Sequence, residues 1–492
     1  MKDGSAAPRH LEHAVPDFAG RSVLVLGDVM LDRYVGGEVN RISPEGPFLV
    51  LRYASTRIVL GGAGNVANNI SALGARAILV GAVGDDEAGQ EVMRAAADRP
   101  ETMALRLVSL PGRPTTRKTR FMSGMTQLLR LDEEVTDPLS PGEAEAILAR
   151  YRESLAEADV VVLSDYAKGV LCDAVLEAAI ALARASGKLV IADPKRDSFK
   201  AYRHANVITP NEMEVRAATG IAVVDDDAAI RAGQAALAAS DADAILITRS
   251  ARGLTLVERG QAPLHLPTEA RAVADVSGAG DTLVASFAVM LASGAGWEAS
   301  ARVANVAAGL VVAKPGTATV SQAELIATLH RQELLALDDK IVTAEQAAGT
   351  LAAWRRGGAR VGFTNGCFDL IHPGHVRLLN AARARCDRLV VGLNTDASVA
   401  RLKGPTRPVQ AEMARATVMA SIGAVDLVVL FDEDTPLELI TRLRPDVLFK
   451  GADYRMDQVV GGDVVRGYGG SVVLIALEEG HSTTGMIKRM AK

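Results

Sequence analysis

The stretch Asp275-Val276-Ser277-Gly278-Ala279-Gly280-Asp281-Thr282 decides how this chain folds. It lies between a polar, β-prone segment and a small-residue apolar run from Leu283 to Leu291, which predicts a loop opening a buried helix. Gly278 and Gly280 let backbone N–H groups crowd against an anion at the helix N-terminus, where the macrodipole also favours negative charge. A carboxylate beside such an anion is costly unless it has a chemical task. For Asp281 that task is general base, taking the proton of a hydroxyl whose oxygen attacks a γ-phosphate. Standing alone, a G-x-G-D pattern reads more readily as a solvated loop with an aspartate cap.

The strand preceding a phosphate loop should belong to a covered sheet, and the chain before position 275 has that rhythm. Ser22 to Leu26 is a short apolar run that delivers Asp28 and Asp32 to a strand's C-terminal end, where open α/β sheets bind ligands. Both carboxylates are candidates for sugar hydroxyls, with a helix cap or turn as the plainer alternative. Val160 to Leu163, Leu189 to Ala192, Val207 to Thr209, Ala244 to Thr248 and Leu254 to Val257 are strand-like, with alanine-rich helical windows between most of them and a tight turn at Gly253. This predicts a mostly parallel sheet covered on both faces. Ser140 to Glu143 is a capping box starting a helix.

Gly62-x-Gly64-x-x-Ala67, with Asp85 further on, imitates a dinucleotide-binding fingerprint. It does not follow the chain's first strand, and Asn65, Asn68 and Asn69 are more polar than a helix packed on a pyrophosphate needs. The same glycines would instead bring Gly62 and Asn65 against a sugar. Pro114 to Leu131 alternates polar and apolar residues and carries Arg117, Lys118 and Arg120, as a β-lid over a phosphorylated substrate would; a solvated strand face is the alternative. Asn211 and Glu214 share one face at a helix start in Asn211-Glu212-Met213-Glu214, a place from which a carboxylate reaches Mg²⁺ directly or through water.

The sheet rhythm restarts at Val361, which places a domain boundary near 338–342: a leader at 1–20, a first domain at 21–338 and a second at 339–492. The second organising stretch runs from Phe363-Thr364-Asn365-Gly366 through Cys367-Phe368-Asp369 to His372-Pro373-Gly374-His375. A strand ends, a glycine turn follows and a helix begins at a proline. Two histidines three apart suggest a metal site or a phosphate clamp; no nearby third ligand supports a metal, so the clamp fits better. Lys403 and Arg407 lie in a Gly/Pro loop suited to swing cations onto phosphates, and Ser482 and Thr483 precede a final helix.

With 492 residues, 49% of them hydrophobic and 23% charged, the chain has the bulk of a two- or three-domain globular protein. A net charge of −5 without a long basic run indicates neither a nucleic-acid partner nor an anionic membrane surface. Cys172, Cys367 and Cys386 are too scattered for a disulfide framework or a zinc site and fit a reducing cytoplasm. The first twenty residues are polar, with no signal-peptide core, and no run reaches a membrane span.

The 275–282 stretch, together with Gly61-Gly62 and Asn65 and with Asn211-x-x-Glu214, resembles the signatures of the ribokinase-like (PfkB) sugar kinases. The His372-x-Gly374-His375 stretch resembles that of the cytidylyltransferase-like nucleotidyltransferases. In this order the two are similar to the family of bifunctional heptose-phosphate kinase–adenylyltransferases, over nearly the whole chain from about residue 20. The resemblance implies an α/β fold: a ribokinase-like mostly parallel sheet with a β-lid, then a smaller Rossmann-like nucleotidyltransferase domain. It implies a kinase acting at O1 of heptose 7-phosphate and an adenylyltransferase making ADP-heptose for lipopolysaccharide core. Asp281 would be the base; Asn211, Glu212, Met213, Glu214, Gly278 and Gly280 would bind ATP; Glu214 would organise Mg²⁺ through water. Asp28, Asp32, Gly62, Asn65 and Lys118 would meet the sugar. His372 and His375 would be catalytic in the second domain, with Phe363, Thr364, Asn365, Gly366, Lys403, Arg407, Ser482 and Thr483 around the nucleotide. A loop at Asp275 for K⁺ or for the nucleotide, a homodimer or other homo-oligomer formed through the lid, and a separate phosphatase acting without a stable complex complete the expectations. The competing enzyme reading is another PfkB-type kinase fused to a cytidylyltransferase for an alcohol phosphate. Two others, a sugar-phosphate-binding regulator and a nicotinamide enzyme, rank below it.

Overall fold

The structure, a computed structural model, describes residues 15–97, 101–268, 275–314, 316–451, 455 and 458–475. The chain divides after His330 into two compact units, ahead of the 338–342 boundary expected from the sequence.

The first unit is built on a nine-stranded sheet in the order Leu264–Leu266, Leu254–Glu258, Ala244–Thr248, Val207–Ile208, Leu189–Asp193, Val160–Ser164, Ser22–Gly27, Arg76–Gly84 and Met103–Leu110. All neighbours pair parallel except that Leu254–Glu258 runs antiparallel to both of its neighbours. The uninterrupted Val23-Leu24-Val25-Leu26 run exists because both faces are covered. Val23 and Val25 enter one apolar cluster, Leu24 and Leu26 the other. Helices Ala63–Ala72, Ala279–Ala292 and Trp297–Val311 close the first face; Pro141–Leu155 and Asp173–Ala185 close the second. Every residue of Ala279–Ala292 from Asp281 onward is buried, which accounts for its lack of a polar stripe. The expected capping box at Ser140 starts the Pro141–Leu155 helix.

Ser22–Gly27 lies between Arg76–Gly84 on one side and Val160–Ser164 on the other. The winding reverses there, so a crevice opens beyond the carboxyl ends of these strands. The two strands approach so closely at this point that a Cβ on Gly27 would lie 2.1 Å from the Ser164 carbonyl oxygen.

A separate four-stranded sheet, Leu49–Gly62, Val29–Ile42, Thr116–Ser123 and Thr126–Glu133, forms the lid. The lid expected from Pro114 to Leu131 is therefore half of the real one. The long antiparallel pair Val29–Ile42 and Leu49–Gly62 has no clean alternation because little of it is buried in its own unit. The expected leader also ends sooner: Val15 and Phe18 are buried in the first core cluster.

The second unit is an all-parallel sheet in the order Ile341–Val342, Leu427–Phe431, Arg388–Asn394, Val361–Gly366, Val447–Gly451 and Ser471–Ile475. Its first long strand is central, so the winding again reverses beside it, at the end of Val361–Gly366. Two apolar clusters cover the two faces.

Because Phe18 is 1% exposed within the core of the first unit, Phe18→Ala should destabilise that unit by roughly 3–5 kcal/mol. Denaturant unfolding of the full chain followed at both units measures this, with the second unit unchanged.

Candidate active sites

In the first unit the 275–282 stretch does form a loop that opens a helix, Ala279–Ala292, capped by Gly278 at φ 82°. A Cβ on Gly278 would lie 2.9 Å from Asn65 Nδ2, while Gly280 faces open space. Asp281, in the helix's first turn, is 7% exposed. Its carboxylate is held at both ends: Tyr166 donates its hydroxyl to Oδ1 at 2.5 Å, and Asn65 donates its amide to Oδ2 at 2.6 Å. Burial pushes the carboxyl up to about 6; the hydrogen bonds from Tyr166 and Asn65 pull the other way, Asp32 adds to the rise and Lys118 opposes it. Next to it, Thr282 donates to Asn69, which ties the helix to Ala63–Ala72.

Asp281, Gly278 and Gly280 border a cavity of about 190 Å³ shared with Asp193, Lys195, Asn211 and Glu214. Asn211 and Glu214 form a reciprocal capping box on the helix Glu212–Thr219, and Lys195 Nζ lies 3.0 Å from Glu214 Oε1. Glu212 pairs instead with Arg252, and Met213 is exposed; neither lines the cavity. Four carboxyl groups, of Asp165, Asp193, Glu214 and Asp281, thus line the cavity with one lysine. Burial, with Asp281 and Glu214 close by, pushes the Asp193 carboxyl well above the usual carboxylate range. Such a crowding of carboxyl groups, which a cation would let ionise together, fits a Mg²⁺ ion carried in with a nucleotide. No cage of three or more ligating side chains occurs among the described residues.

The sugar-side candidates sit across the carboxyl ends of the strands. Asp32 and Lys118 stand opposite each other on adjacent lid strands, and Arg120 Nη1 donates to Asp32 Oδ1 at 2.5 Å. Lys118 Nζ lies 6.0 Å from the centre of the Tyr166 ring, and burial pulls its ammonium below the ordinary lysine value. Arg117 is committed to Glu133 through two hydrogen bonds. Asp28, expected at the sugar, is engaged otherwise: its carboxylate accepts the backbone N–H groups of Tyr166, Lys168 and Val170 at 2.9, 3.0 and 3.1 Å. It anchors the loop that carries Tyr166. Gly62, at φ 57°, caps the helix Ala63–Ala72. The strand before it belongs to the lid and pairs antiparallel, so the setting a dinucleotide fingerprint requires is missing.

In the second unit a cavity of about 580 Å³ opens at the reversal of winding. Thr364, Asn365, Gly366, His372, His375, Lys403 and Arg407 all line it. Phe363 does not; it is buried in the core. His372 caps the helix Pro373–Arg383, and the His372 and His375 rings stack with centroids 3.7 Å apart. Burial, with His372 adding to it, pushes His375 down to about 4, so its ring is neutral near pH 7. Thr364 Oγ1, Asn365 Oδ1 and His375 Nδ1 are buried without a hydrogen-bond partner among the described residues, the mark of groups that wait for a ligand. Arg407 Nε donates to Asp369 at 2.5 Å, and the same carboxylate accepts the N–H groups of Val409 and Gln410. Asp369 thus latches the Gly/Pro loop onto the histidine turn. Ser482 and Thr483 lie outside the described residues.

Tyr166, Asp193, Lys195 and Asp369 were not among the expected site residues. The polar clusters at strand ends, Asp165-Tyr166 and Asp193-Pro194-Lys195, were the available signal. Among the described residues no helix is long and apolar enough to cross a membrane.

The pfkB family carbohydrate kinases match residues 21–324, and the cytidylyltransferase-like family matches residues 363–479. The bifunctional protein HldE of Caulobacter vibrioides is 55% identical over 481 residues, covering 98% of this chain and 99% of its own length. That of Paramagnetospirillum magneticum is 51% identical, covering 98% of each. Among solved structures, phosphofructokinase-2 from Escherichia coli superposes with a TM-score of 0.53 at 19% identity, over 63% of this chain and all of its own, a likeness of fold. The chain belongs to the family of bifunctional HldE proteins, with a pfkB carbohydrate kinase unit followed by a cytidylyltransferase-like unit.

Proposed function

We propose that the chain carries out two steps of ADP-heptose synthesis, one in each unit. The observation that carries the reading is Asp281, a buried carboxylate at a helix N-terminus between a sugar-side pocket and a glycine loop open to phosphate. In the first step the O1 hydroxyl of D-glycero-β-D-manno-heptose 7-phosphate attacks the γ-phosphorus of ATP. Asp281 takes the hydroxyl proton, and ADP leaves. Gly278 and Gly280 keep the backbone close to the transferring group, while Asp32, Asn65 and Lys118 face the sugar. Bound Mg²⁺ would supply charge neutralisation on the phosphates; Glu214 would hold it through water, with Asn211 fixing the Glu214 backbone.

In the second step a phosphate oxygen of heptose 1-phosphate attacks the α-phosphorus of ATP, and pyrophosphate leaves. The nucleophile is already ionised, so no protein base is needed. Neutral His375, with His372, Lys403 and Arg407, offers N–H groups and positive charge to the transition state. A separate phosphatase removes the 7-phosphate between the steps, without a stable complex. The reading extends to a K⁺ ion near the Asp275 loop, where Asp275 already gathers the N–H groups of Ser277 and Gly316. It also places the enzyme in the cytoplasm, where free thiols such as Cys172, Cys367 and Cys386 persist.

The lid supports a homodimer. Ile42, Leu49, Tyr53, Leu129 and Leu131 are exposed apolar residues, all on lid strands, surface that a second copy would cover. Leu129→Glu with Leu131→Glu should halve the mass seen by sedimentation.

Purified full-length chain given heptose 7-phosphate, ATP and Mg²⁺, then a phosphatase, should yield the bisphosphate and then ADP-heptose by mass spectrometry. Turnover only with CTP or with other sugars would overturn the heptose and adenylyl assignments. Asp281→Asn should lower phosphoryl transfer at least ~10³-fold and leave adenylyl transfer intact, and His375→Ala should do the reverse. Since the base must be ionised and burial raises Asp281 to about 6, kinase kcat/KM should fall as pH drops through about 6 and stay level above it.

A further inference from the structure

Tyr166 has no role in either step as written, yet its position is fixed from both sides. Its N–H donates to buried Asp28, and Asp28 also holds Lys168 and Val170 by their N–H groups. The preceding residue, Asp165, is buried too; it accepts the Ala167 N–H at 2.8 Å, the Tyr202 hydroxyl at 2.7 Å and Arg196 Nε at 3.3 Å. Two carboxylates are therefore spent on the backbone of one short loop, and what the loop presents is the Tyr166 hydroxyl, 2.5 Å from Asp281 Oδ1. The ring face looks toward Lys118, on the sugar side.

We propose that Tyr166 is a positioning residue for phosphoryl transfer: its hydroxyl pins one oxygen of Asp281 and keeps the carboxylate ionised in a buried site, leaving Oδ2 to take the sugar proton. This rests on the reading of Asp281 as the base. In the step itself the sugar O–H bond breaks and its proton passes to Oδ2 in place of the Asn65 amide hydrogen bond. The sugar oxygen bonds to the γ-phosphorus, the bond from that phosphorus to the β–γ bridging oxygen breaks, and the electron pair leaves with ADP. Tyr166 keeps its proton throughout. Burial and the neighbouring Asp281 and Asp193 hold the phenol above its ordinary range, so it is a donor at every working pH.

The charged groups facing Asp281 come from three other elements: Asp32 on Val29–Ile42, Lys118 on Thr116–Ser123, and Asp193 at the end of Leu189–Asp193. Asp32 favours protonation of Asp281 and Lys118 opposes it, while Asp193 is itself pushed upward by Asp281. Asn65 and Tyr166 are the neutral donors, and only Tyr166 is left on the carboxylate once the sugar hydroxyl takes the Asn65 place.

The test is the pH profile of kinase kcat/KM in the full chain. Tyr166→Phe keeps the ring and removes the hydroxyl. It should move the acid limb to higher pH by about one unit, giving a roughly tenfold deficit on the acid side that closes in alkaline solution. A purely structural role would lower the rate by one factor at all pH values. Placing 3-fluorotyrosine at position 166, a stronger hydrogen-bond donor of nearly the same size, should move the limb the opposite way; this arm decides the matter if Tyr166→Phe unfolds by thermal denaturation. An acid limb unmoved by the fluorinated residue overturns the proposal. Failure of the underlying reading looks different: Asp281→Asn would then retain phosphoryl transfer.

Discussion

A carboxylate sealed inside a protein stays charged only if something hydrogen-bonds to it, and the first unit is arranged around meeting that demand for Asp281. The donors come from distant parts of the chain: Asn65 from the helix after the lid hairpin, Tyr166 from the loop after a central strand. Each is in turn held by its own support. The Asn65 helix is tied to the Asp281 helix through Asn69 and Thr282, and the Tyr166 loop is tied down by Asp28. The parallel sheet serves to bring these pieces to one crevice, because the reversal of winding beside Ser22–Gly27 is where strand ends diverge and leave room.

The second unit solves a related problem by the opposite means. Its crevice also lies at a reversal of winding, but several of its polar atoms are left unsatisfied rather than paired: Thr364, Asn365 and His375 each keep a buried atom without a partner among the described residues. On the proposed reading Asp281 is a base, which must be prepared before its substrate arrives. A transition-state clamp gains from groups whose partners come only with the nucleotide, since interactions withheld from the ground state are those that lower the barrier. The neutral state of His375 belongs to the same logic: burial has removed its charge, and the N–H remains to be used.

What could be read in the sequence follows from how local each signal is. The 275–282 loop and the 363–375 turn are contiguous, and their glycines, proline and histidines state their geometry directly. The buried strands announce themselves as apolar runs because both faces are covered. The lid hairpin did not, since its apolar residues, Ile42 and Tyr53 among them, are not covered by this unit and fall into no alternation. Asp28 was legible as a buried strand-end carboxylate but not in its task, because its partners are backbone groups about 140 residues away. Tyr166 was hidden for the same reason: it lies 115 residues from Asp281 in the chain, and no spacing rule connects them. Phe18 sat in a polar neighbourhood and looked like part of a tail.

The close approach at Gly27 has a consequence for how such a chain varies. Its missing Cβ leaves room for the Ser164 carbonyl, and one residue beyond each partner stand Asp28 and Asp165, whose carboxylates fix the loop bearing Tyr166. Any side chain at position 27 would wedge apart the strands from which that loop hangs. Stability and chemistry therefore share a single lesion there, and a stabilising substitution elsewhere would restore the first without the second. Drift through this codon is closed in a way that drift through the lid surface is not, because lid residues touch the catalytic crevice only at their inner ends.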